Sequence, residues 1–331
     1  AIRVLRAGYE LGMRTIAIFS HADRYSLHRY KADESYQVGK DGESVAPYLS
    51  IPTIISLAKK LGVDAIHPGY GFLSENVAFA QACADAGIIF IGPSPEAMDQ
   101  LGNKIQAKKL AESLKIPTIG GGAQGYSEVA SALEIAKKIG VPLLIKAAAG
   151  GGGRGMRVIR NLEEFTSAFS DASREATNAF GDGTLFIEKF IEKPKHIEVQ
   201  LLGDAYGNLV HLYERDCSVQ RRFQKVVEVA PSLGLPQSCR DKLYQYSLQI
   251  GKAVAYANAG TVEFLVDKQH NVYFIEVNPR IQVEHTVTEE ITGIDIVKTQ
   301  LLIAQGYSLD SAEIGISNQD KVQITGFAIQ C

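Results

Sequence analysis

Apolar positions in the first third of the chain switch repeatedly between helical and strand periods. Ala1 to Leu11 repeats at helical spacing and stops at Gly12, and Thr15 to Phe19 is a short apolar run suited to a strand. Residues 51–61, opened by Pro52, read as a helix. Ala65 to His67 reads as a short strand, Val77 to Ala86 as a helix and Gly87 to Ile91 as a buried strand. This βα alternation predicts an open, doubly wound parallel sheet with helices on both faces, over residues 1–117. Such sheets bind ligands in loops beyond their strands' carboxyl ends, which makes His67–Asn76 a candidate site loop, although its Pro-Gly pair is also ordinary turn chemistry.

A compact second unit is expected over residues 118–190, with Gly120–Gly122 as its hinge. It reads as helix 128–139, strand 142–148, a glycine-rich loop, strand 156–160, helix 162–180 and strand 184–191. Asn161 with Glu164 three residues on forms a capping box. Residues 191–331 are rich in strands that carry charged side chains. The expected fold is therefore α/β: a truncated N-terminal unit, a mobile lid and a C-terminal mixed sheet. Because the alternation begins on a helix, the chain is expected to be a fragment lacking its first strand.

At 331 residues the chain exceeds a usual single domain, which agrees with several subdomains. The net charge of −3, with both signs interspersed, argues against a nucleic-acid surface. Four cysteines without C-x-x-C spacing argue against a disulfide framework or a zinc site. They fit a reducing compartment, the cytoplasm first and the mitochondrial matrix as the alternative. No apolar run approaches the roughly 20 residues of a membrane span, and no signal peptide is expected.

The glycine-rich loop carries the first candidate chemistry. In Ile145–Ile159 an apolar strand with Lys146 enters Gly150–Gly153, and a second strand opened by Met156 leaves after Arg154-Gly155. Glycines let backbone N–H groups approach an anion closely. A Walker loop would open a helix with Lys-Ser or Lys-Thr, and a dinucleotide fold would also place a helix next, so neither fits. Strand, glycine loop and strand folded over phosphates is the logic of a nucleotide lid. Lys146 in an apolar strand requires an anionic partner, either phosphate or a salt bridge. Lys104 opens an amphipathic helix and alone reads as an ordinary surface lysine.

Further along, Thr184–Ile191 can offer backbone groups to a purine edge. His196, Glu198 and Gln200 share one strand face by period two, which a solvent-facing polar stripe explains equally well. Strands Val262–Val266 and Val272–Val277 flank a tight turn centred near Gln269 and His270, which places Glu263 opposite Glu276. Facing like charges destabilise a hairpin, and a divalent cation removes that penalty. Asn278 lies on the same face, and an all-oxygen set suits Mg²⁺ or Mn²⁺. Arg280, Gln282 and Glu284 then project to one side of an extended segment, where they could hold a small planar anion and deprotonate it. Glu214–Lys225 is a dense charge run of the kind that normally forms a solvated face.

Taken together, His67–Asn76, Lys146–Arg157, Glu214–Lys225 and Glu276–Glu289 resemble the biotin carboxylase branch of the ATP-grasp superfamily, in family order over essentially the whole chain. Glu228-Val229-Ala230-Pro231, Asn278-Pro279-Arg280 and His285–Glu290 are similar to the pyruvate carboxylase family more than to acyl-CoA carboxylases, the same-class alternative. The resemblance implies ATP-dependent carboxylation of biotin by bicarbonate through carboxyphosphate. It puts Lys104 and Lys146 on the ATP phosphates, with Gly151, Gly152 and Gly153 closing over them. Glu188, Lys189 and Ile191 would meet adenine and His196 the ribose, with Met156 and Gln220 completing the nucleotide site. Glu263, Glu276 and Asn278 would hold two Mg²⁺ or Mn²⁺ ions. Lys225, Arg280, Gln282 and the Val283 backbone would seat bicarbonate, and Glu284 would be its base. Tyr70 and Gly71 would flank the biotin ring. Implied partners are a biotinylated carrier domain, a carboxyltransferase domain of the same polypeptide and further copies of the chain. Departures from the family pattern are Phe223 in place of histidine, Ala149 in place of an aromatic residue, and an end at Cys331 ahead of an arginine assigned to the biotin enolate. The resemblance therefore implies weak biotin carboxylation by this stretch alone. A protein kinase is disfavoured by the absence of H-R-D and D-F-G, and a non-catalytic ATP-binding module by the intact Glu284.

Overall fold

A computed structural model of the chain describes residues 1–121, 124–148, 156–222 and 224–331. The N-terminal part runs α1 Ile2–Glu10, β1 Ile16–Phe19, α2 Leu27–Lys31, β2 Glu34–Gln37, α3 Ile51–Leu61, β3 Ala65–Ile66, α4 Val77–Asp85, β4 Ile89–Phe90, α5 Pro95–Gly102 and α6 Lys104–Ser113. Pairing is parallel, β1 with β2 and β3 with β4, as two separate ladders. Both strands of the second ladder are very short, and Pro68, without an N–H to donate, follows β3 closely. Local chemistry explains the helix starts. Asn76 accepts from the Phe79 N–H, Ser94 from Ala97, and Asn103 from Ile105 and Gln106. The last of these caps puts Lys104 in the first turn of α6.

The middle unit, expected to be a lid, comprises α7 Val129–Ile139, β5 Leu143–Ala147, β6 Arg157–Ile159, α8 Phe165–Phe180 and β7 Leu185–Lys189. Its antiparallel sheet, ordered β6-β5-β7, packs a core of its own in which Leu143, Ile145, Leu185 and Ile187 meet Ala132, Phe165 and Phe169. The expected capping box takes a different form. Asn161 accepts from the Glu163 N–H at 3.1 Å, and a 3-10 turn over Leu162–Glu164 precedes α8. The tighter turn brings the second N–H, not the third, within reach of the asparagine. Ala149, the glycines 150–153 and Phe223 lie outside the described residues.

The C-terminal part runs β8 Lys195–Gly203, β9 Leu209–Arg221, β10 Gln224–Ala230, α9 Gln237–Ala253, β11 Asn258–Val266, β12 Val272–Asn278, α10 His285–Thr292, α11 Ile296–Ala304 and β13 Ala328–Gln330. Its strands form one antiparallel sheet ordered β12-β11-β8-β9-β10-β13. One face packs Ile197, Val199, Val262, Phe264 and Phe274 against Leu243 of α9 and Ala107 and Ala111 of α6. This packing carries Lys104 to the edge of the sheet. Among the described residues no helix is long and apolar enough to cross a membrane.

Candidate active site

Sheet register assembles the site. Glu263 on β11 lies opposite Glu276 on β12 and, on its other side, opposite Glu198 on β8; Glu198 in turn lies opposite Arg215 on β9. Glu276, Glu263, Glu198 and Arg215 thus form one row across four strands, with three carboxylates adjacent. Such a row is tenable only if cations intervene. Lys225 of β10 supplies most of that compensation. Its Nζ donates to Glu198 at 2.6 Å, to Glu284 at 2.7 Å and to Glu263 at 3.0 Å. Lys104 Nζ lies 3.3 Å from Glu276.

His196 closes the row from above. Gln220 donates to its Nδ1 at 3.0 Å, so the ring proton sits on Nε2 and is given to Glu263 at 2.6 Å. Burial works against charge on His196, yet Glu263 outweighs it and raises the imidazole above its ordinary value. Burial likewise favours the neutral Glu263 carboxyl, but Lys225 and His196 prevail and hold it well below the usual carboxylate range. Glu198 is lowered against its burial by Arg215 and Lys225. Lys225 is raised despite burial by the carboxylates around it.

These groups line a cavity of about 450 Å³. Its walls are Tyr70, Gly71, His196, Gln220, Lys225, Glu263, Glu276, Asn278, Arg280, Gln282, Val283 and Glu284. Every one of them was expected from the sequence. Gln282 donates to Glu263 at 3.0 Å, and Asn278 donates to the same oxygen at 2.8 Å. Arg280 donates to the Asn278 amide oxygen at 3.1 Å and pairs with Glu75. The second contact ties the His67–Asn76 loop to the cavity. In that loop Gly69 and Gly71 adopt φ of 68° and 76°, which glycine takes without strain. His67 anchors the loop: its Nδ1 accepts from the Gly69 N–H at 3.0 Å, and its Nε2 meets Gln300 at 3.2 Å. Burial lowers the His67 imidazole to about 4, so it stays neutral.

Residues of the middle unit that the sequence reading assigned to the nucleotide form a second cluster. Lys146 finds its anionic partner in Glu188, 2.6 Å away, and the nearly buried Lys108 reaches the same carboxylate at 3.2 Å. Burial pushes the Glu188 carboxyl up, but Lys146 and Lys108 together hold it down. One carboxylate between two ammonium groups leaves a spare positive charge beside the lid strands. Lys189 turns its side chain to the carbonyls of Gly140 and Val141, and its backbone N–H donates to Gly120 at 2.7 Å. Ile191 follows β7, and Met156 precedes β6 at the rim of the lid sheet. Gly151, Gly152 and Gly153 lie outside the described residues.

One sequence expectation gives way here, and one of two open alternatives is removed. The Glu214–Lys225 run is not a solvated face, since Glu214 and Arg215 are fully buried. Glu214 points toward α9, where Tyr244 and Arg240 hold it; Arg215 points into the carboxylate row. His196, Glu198 and Gln200 are not a solvent stripe either, because Glu198 and Gln200 are inaccessible. Sequence reasoning missed Lys108 and assigned no role to Arg215 or Glu198. Lys108 stands four residues after Lys104 on one helix face, which is the signal that would have found it.

Glu263, Glu276 and the Asn278 Oδ1 can supply oxygens to a divalent cation from facing strands. In this structure the Asn278 Nδ2 faces Glu263 and its Oδ1 accepts from Arg280, so that oxygen would exchange the guanidinium for the ion on binding.

Residues 1–98 match the family described as "Biotin carboxylase, N-terminal domain", and residues 103–312 match "Carbamoyl-phosphate synthase L chain, ATP binding domain". Pyruvate carboxylase 1 of Caenorhabditis elegans is 55% identical over 331 residues; the match takes in 100% of this chain, which spans 28% of that protein's length. A biotin carboxylase–beta-gamma-ATP complex from Campylobacter jejuni superposes with a TM-score of 0.93 at 45% identity, covering 99% of this chain and 72% of that one. Pyruvate carboxylase of Rhizobium etli superposes with a TM-score of 0.92 at 51% identity, covering 100% of this chain and 30% of that one.

Proposed function

The chain belongs to the biotin carboxylase family of ATP-grasp proteins, and on that premise we propose that it performs the first half-reaction of a pyruvate carboxylase. In that reaction biotin is carboxylated by bicarbonate at the expense of ATP. The observation that supports this most is the hold of Lys225 on Glu198, Glu263 and Glu284 beside Arg280 and Gln282. It joins an anion seat to a buried carboxylate that can act as a base.

In this reading the guanidinium of Arg280 and the ammonium of Lys225 meet the charge of bicarbonate. The Gln282 amide and the Val283 backbone N–H donate to its oxygens, and Glu284 takes its proton. The carbonate oxygen attacks the γ-phosphorus of ATP, ADP leaves, and carboxyphosphate forms. Its breakdown gives CO₂ and phosphate. Phosphate takes the N1 proton of a biotin ring placed by Tyr70 and Gly71, and N1 attacks CO₂. Lys104 and Lys146 bind the phosphates with Gly151–Gly153, and the Glu188–Ile191 segment meets adenine. His196 meets the ribose, with Gln220 and Met156 beside the nucleotide. Glu263, Glu276 and Asn278 would hold two Mg²⁺ or Mn²⁺ ions, which when bound neutralise phosphate charge.

Residues 1–117, 118–190 and 191–331 would act as N-terminal unit, lid and C-terminal sheet. The partners of this reading are a biotinylated carrier domain, a carboxyltransferase domain of the same polypeptide and a second copy of the chain. Its compartment is the cytoplasm, with the mitochondrial matrix as the alternative. The test is ADP release from Mg²⁺·ATP with and without bicarbonate. Release that requires bicarbonate and disappears in Glu284→Gln supports the proposal. ATP bound but not cleaved, or cleaved regardless of bicarbonate, overturns it in favour of a regulatory ATP-binding module.

A further inference from the structure

Arg215 does not line the cavity, yet it is the largest fully buried side chain of the described residues. Its Nη1 donates to Gln200 at 2.8 Å and to Thr288 at 3.0 Å. Its Nη2 donates to Gln282 at 2.8 Å, Glu198 at 3.1 Å and Thr261 at 3.2 Å. Burying a guanidinium costs several kcal/mol even when it is paired. One carboxylate partner, Glu198, would be satisfied at lower cost by Lys225 alone, which already reaches it. Five acceptors on two strands, a helix and the loop between β12 and α10 indicate a positional role.

That role is legible at Gln282. A carboxamide has an accepting end and a donating end of nearly the same shape, so the cavity can receive either. Arginine only donates, and its Nη2 therefore selects the Gln282 oxygen. The amide plane then turns Nε2 the other way, where one hydrogen goes to Glu263 at 3.0 Å and the second remains for the cavity. With the amide reversed, its oxygen would face the Glu263 carboxylate and any anion bound there. We propose that Arg215 is the positioning residue that fixes the Gln282 amide with its N–H groups toward the bound anion, and so sets affinity for bicarbonate without touching it. This deepens the bicarbonate reading given above and depends on it.

Lysine at position 215 keeps the charge for Glu198 but has one nitrogen and cannot hold five acceptors in a planar fork. In Arg215→Lys the KM for bicarbonate in ADP release should rise at least about tenfold, the scale of one lost charge-assisted hydrogen bond. The KM for ATP should change by less than about twofold, since the nucleotide is held by other groups. In a Gln282→Met background the Arg215→Lys change should add nothing, because its target is gone. Equal rises in both KM values, or additive effects in the double variant, would mean Arg215 is merely structural and overturn the inference. Should Arg215→Lys fail to fold, Thr288→Val carries the test, since it leaves the guanidinium but frees Nη1. A bicarbonate KM unchanged in Thr288→Val overturns the proposal; a rise present in the parent background and absent beside Gln282→Met supports it. A parent protein that cleaves ATP without regard to bicarbonate overturns the proposed function itself, and this inference with it.

Discussion

Replacing Lys225 by methionine isolates the electrostatics of the site. Methionine keeps the length and apolar stem of lysine but removes an ammonium bound to three buried carboxylates at 2.6, 2.7 and 3.0 Å. Removing one partner of a buried ion pair costs about 3–5 kcal/mol. For a chain of this size that corresponds to a fall in Tm of roughly 6–10 °C at pH 7, at about 2 °C per kcal/mol. The pH dependence gives a sharper test. In the parent, Glu198 and Glu263 lie below their ordinary values, so their contribution is present above pH about 4.3 and is lost as pH falls. Lys225 lies above its ordinary value, so its contribution is complete below pH about 10.4 and is lost only as pH rises beyond it. Between pH 7 and 5 these groups leave the parent's stability nearly flat. In the variant the three carboxylates face one another, and of their ion pairs among the described residues only those of Arg215 with Glu198 and His196 with Glu263 remain. At least one then titrates above its unfolded value, and stability should increase as pH falls from 7 to 5. Thermal melts at several pH values read this directly. A Tm at pH 7 within about 2 °C of the parent, close to the 1 kcal/mol scale, or a flat profile between pH 7 and 5, would refute the account of the carboxylate row.

Glu263→Gln and Glu276→Gln should each weaken Mg²⁺·ATP binding by calorimetry, about tenfold or more for loss of a charged ligand; Glu263→Gln should also lower the melting temperature of the metal-free protein, because it removes a buried partner of Lys225 and His196; parent-like binding in both would show that the facing carboxylates do not hold a cation. Lys108→Met should leave Lys146 as the sole counter-ion of Glu188 and so weaken ATP binding, whereas Lys108→Arg should restore it; equal affinity of all three proteins would remove Lys146 from the phosphate site. His67, lowered to about 4, should show no imidazole titration by NMR between pH 5.5 and 8, and His67→Leu, which strands the Gly69 N–H and Gln300, should cost about 1–3 kcal/mol; a titration midpoint near 6.5 would contradict the buried neutral ring.

Much of the secondary structure was legible because its signals are local. Helices 2–10, 51–61 and 77–85 follow apolar periodicity, and their ends fall within a residue or two of expectation; the helix opened by Lys104 starts where expected, behind its Asn103 cap. The short strands β1 and β3 were readable from apolar runs beside turn residues. What stayed hidden depends on which face of a strand meets another element. Arg215 and Glu214 are neighbours, so they must point to opposite faces, and in a sheet covered on both sides both become buried. A charge run looks like solvated surface until something packs over it. Here α9 covers one face, and Thr288 of α10 covers the other where Arg215 emerges.

The Glu263–Glu276 pair shows how a correct expectation can rest on an incomplete reason. A turn centred between Gln269 and His270 would place the two carboxylates face to face along a regular ladder. The observed turn is centred on Gln269: Asp267 donates to Asn271, and Val266 lies opposite Val272. Continued without interruption, that register sets Glu263 opposite Ile275 and sends Glu276 to the other face of β12. A bulge intervenes between Glu263 and Phe264, so that Phe264 meets Phe274 while Glu263 meets Glu276, and Ile275 is the extra residue. A bulge shifts parity by one and thereby returns Glu276 to the face of Glu263 and Asn278. The facing carboxylates are therefore made by an irregularity that alternation alone does not announce. Deleting Ile275 would regularise the ladder and seat Glu276 directly after Phe274, still opposite Glu263 and on its face. Mg²⁺·ATP binding should therefore persist along with the hairpin. A deletion variant that folds but loses Mg²⁺·ATP binding would show that the bulge geometry itself, and not the facing pair it restores, is what aims Glu276 into the site.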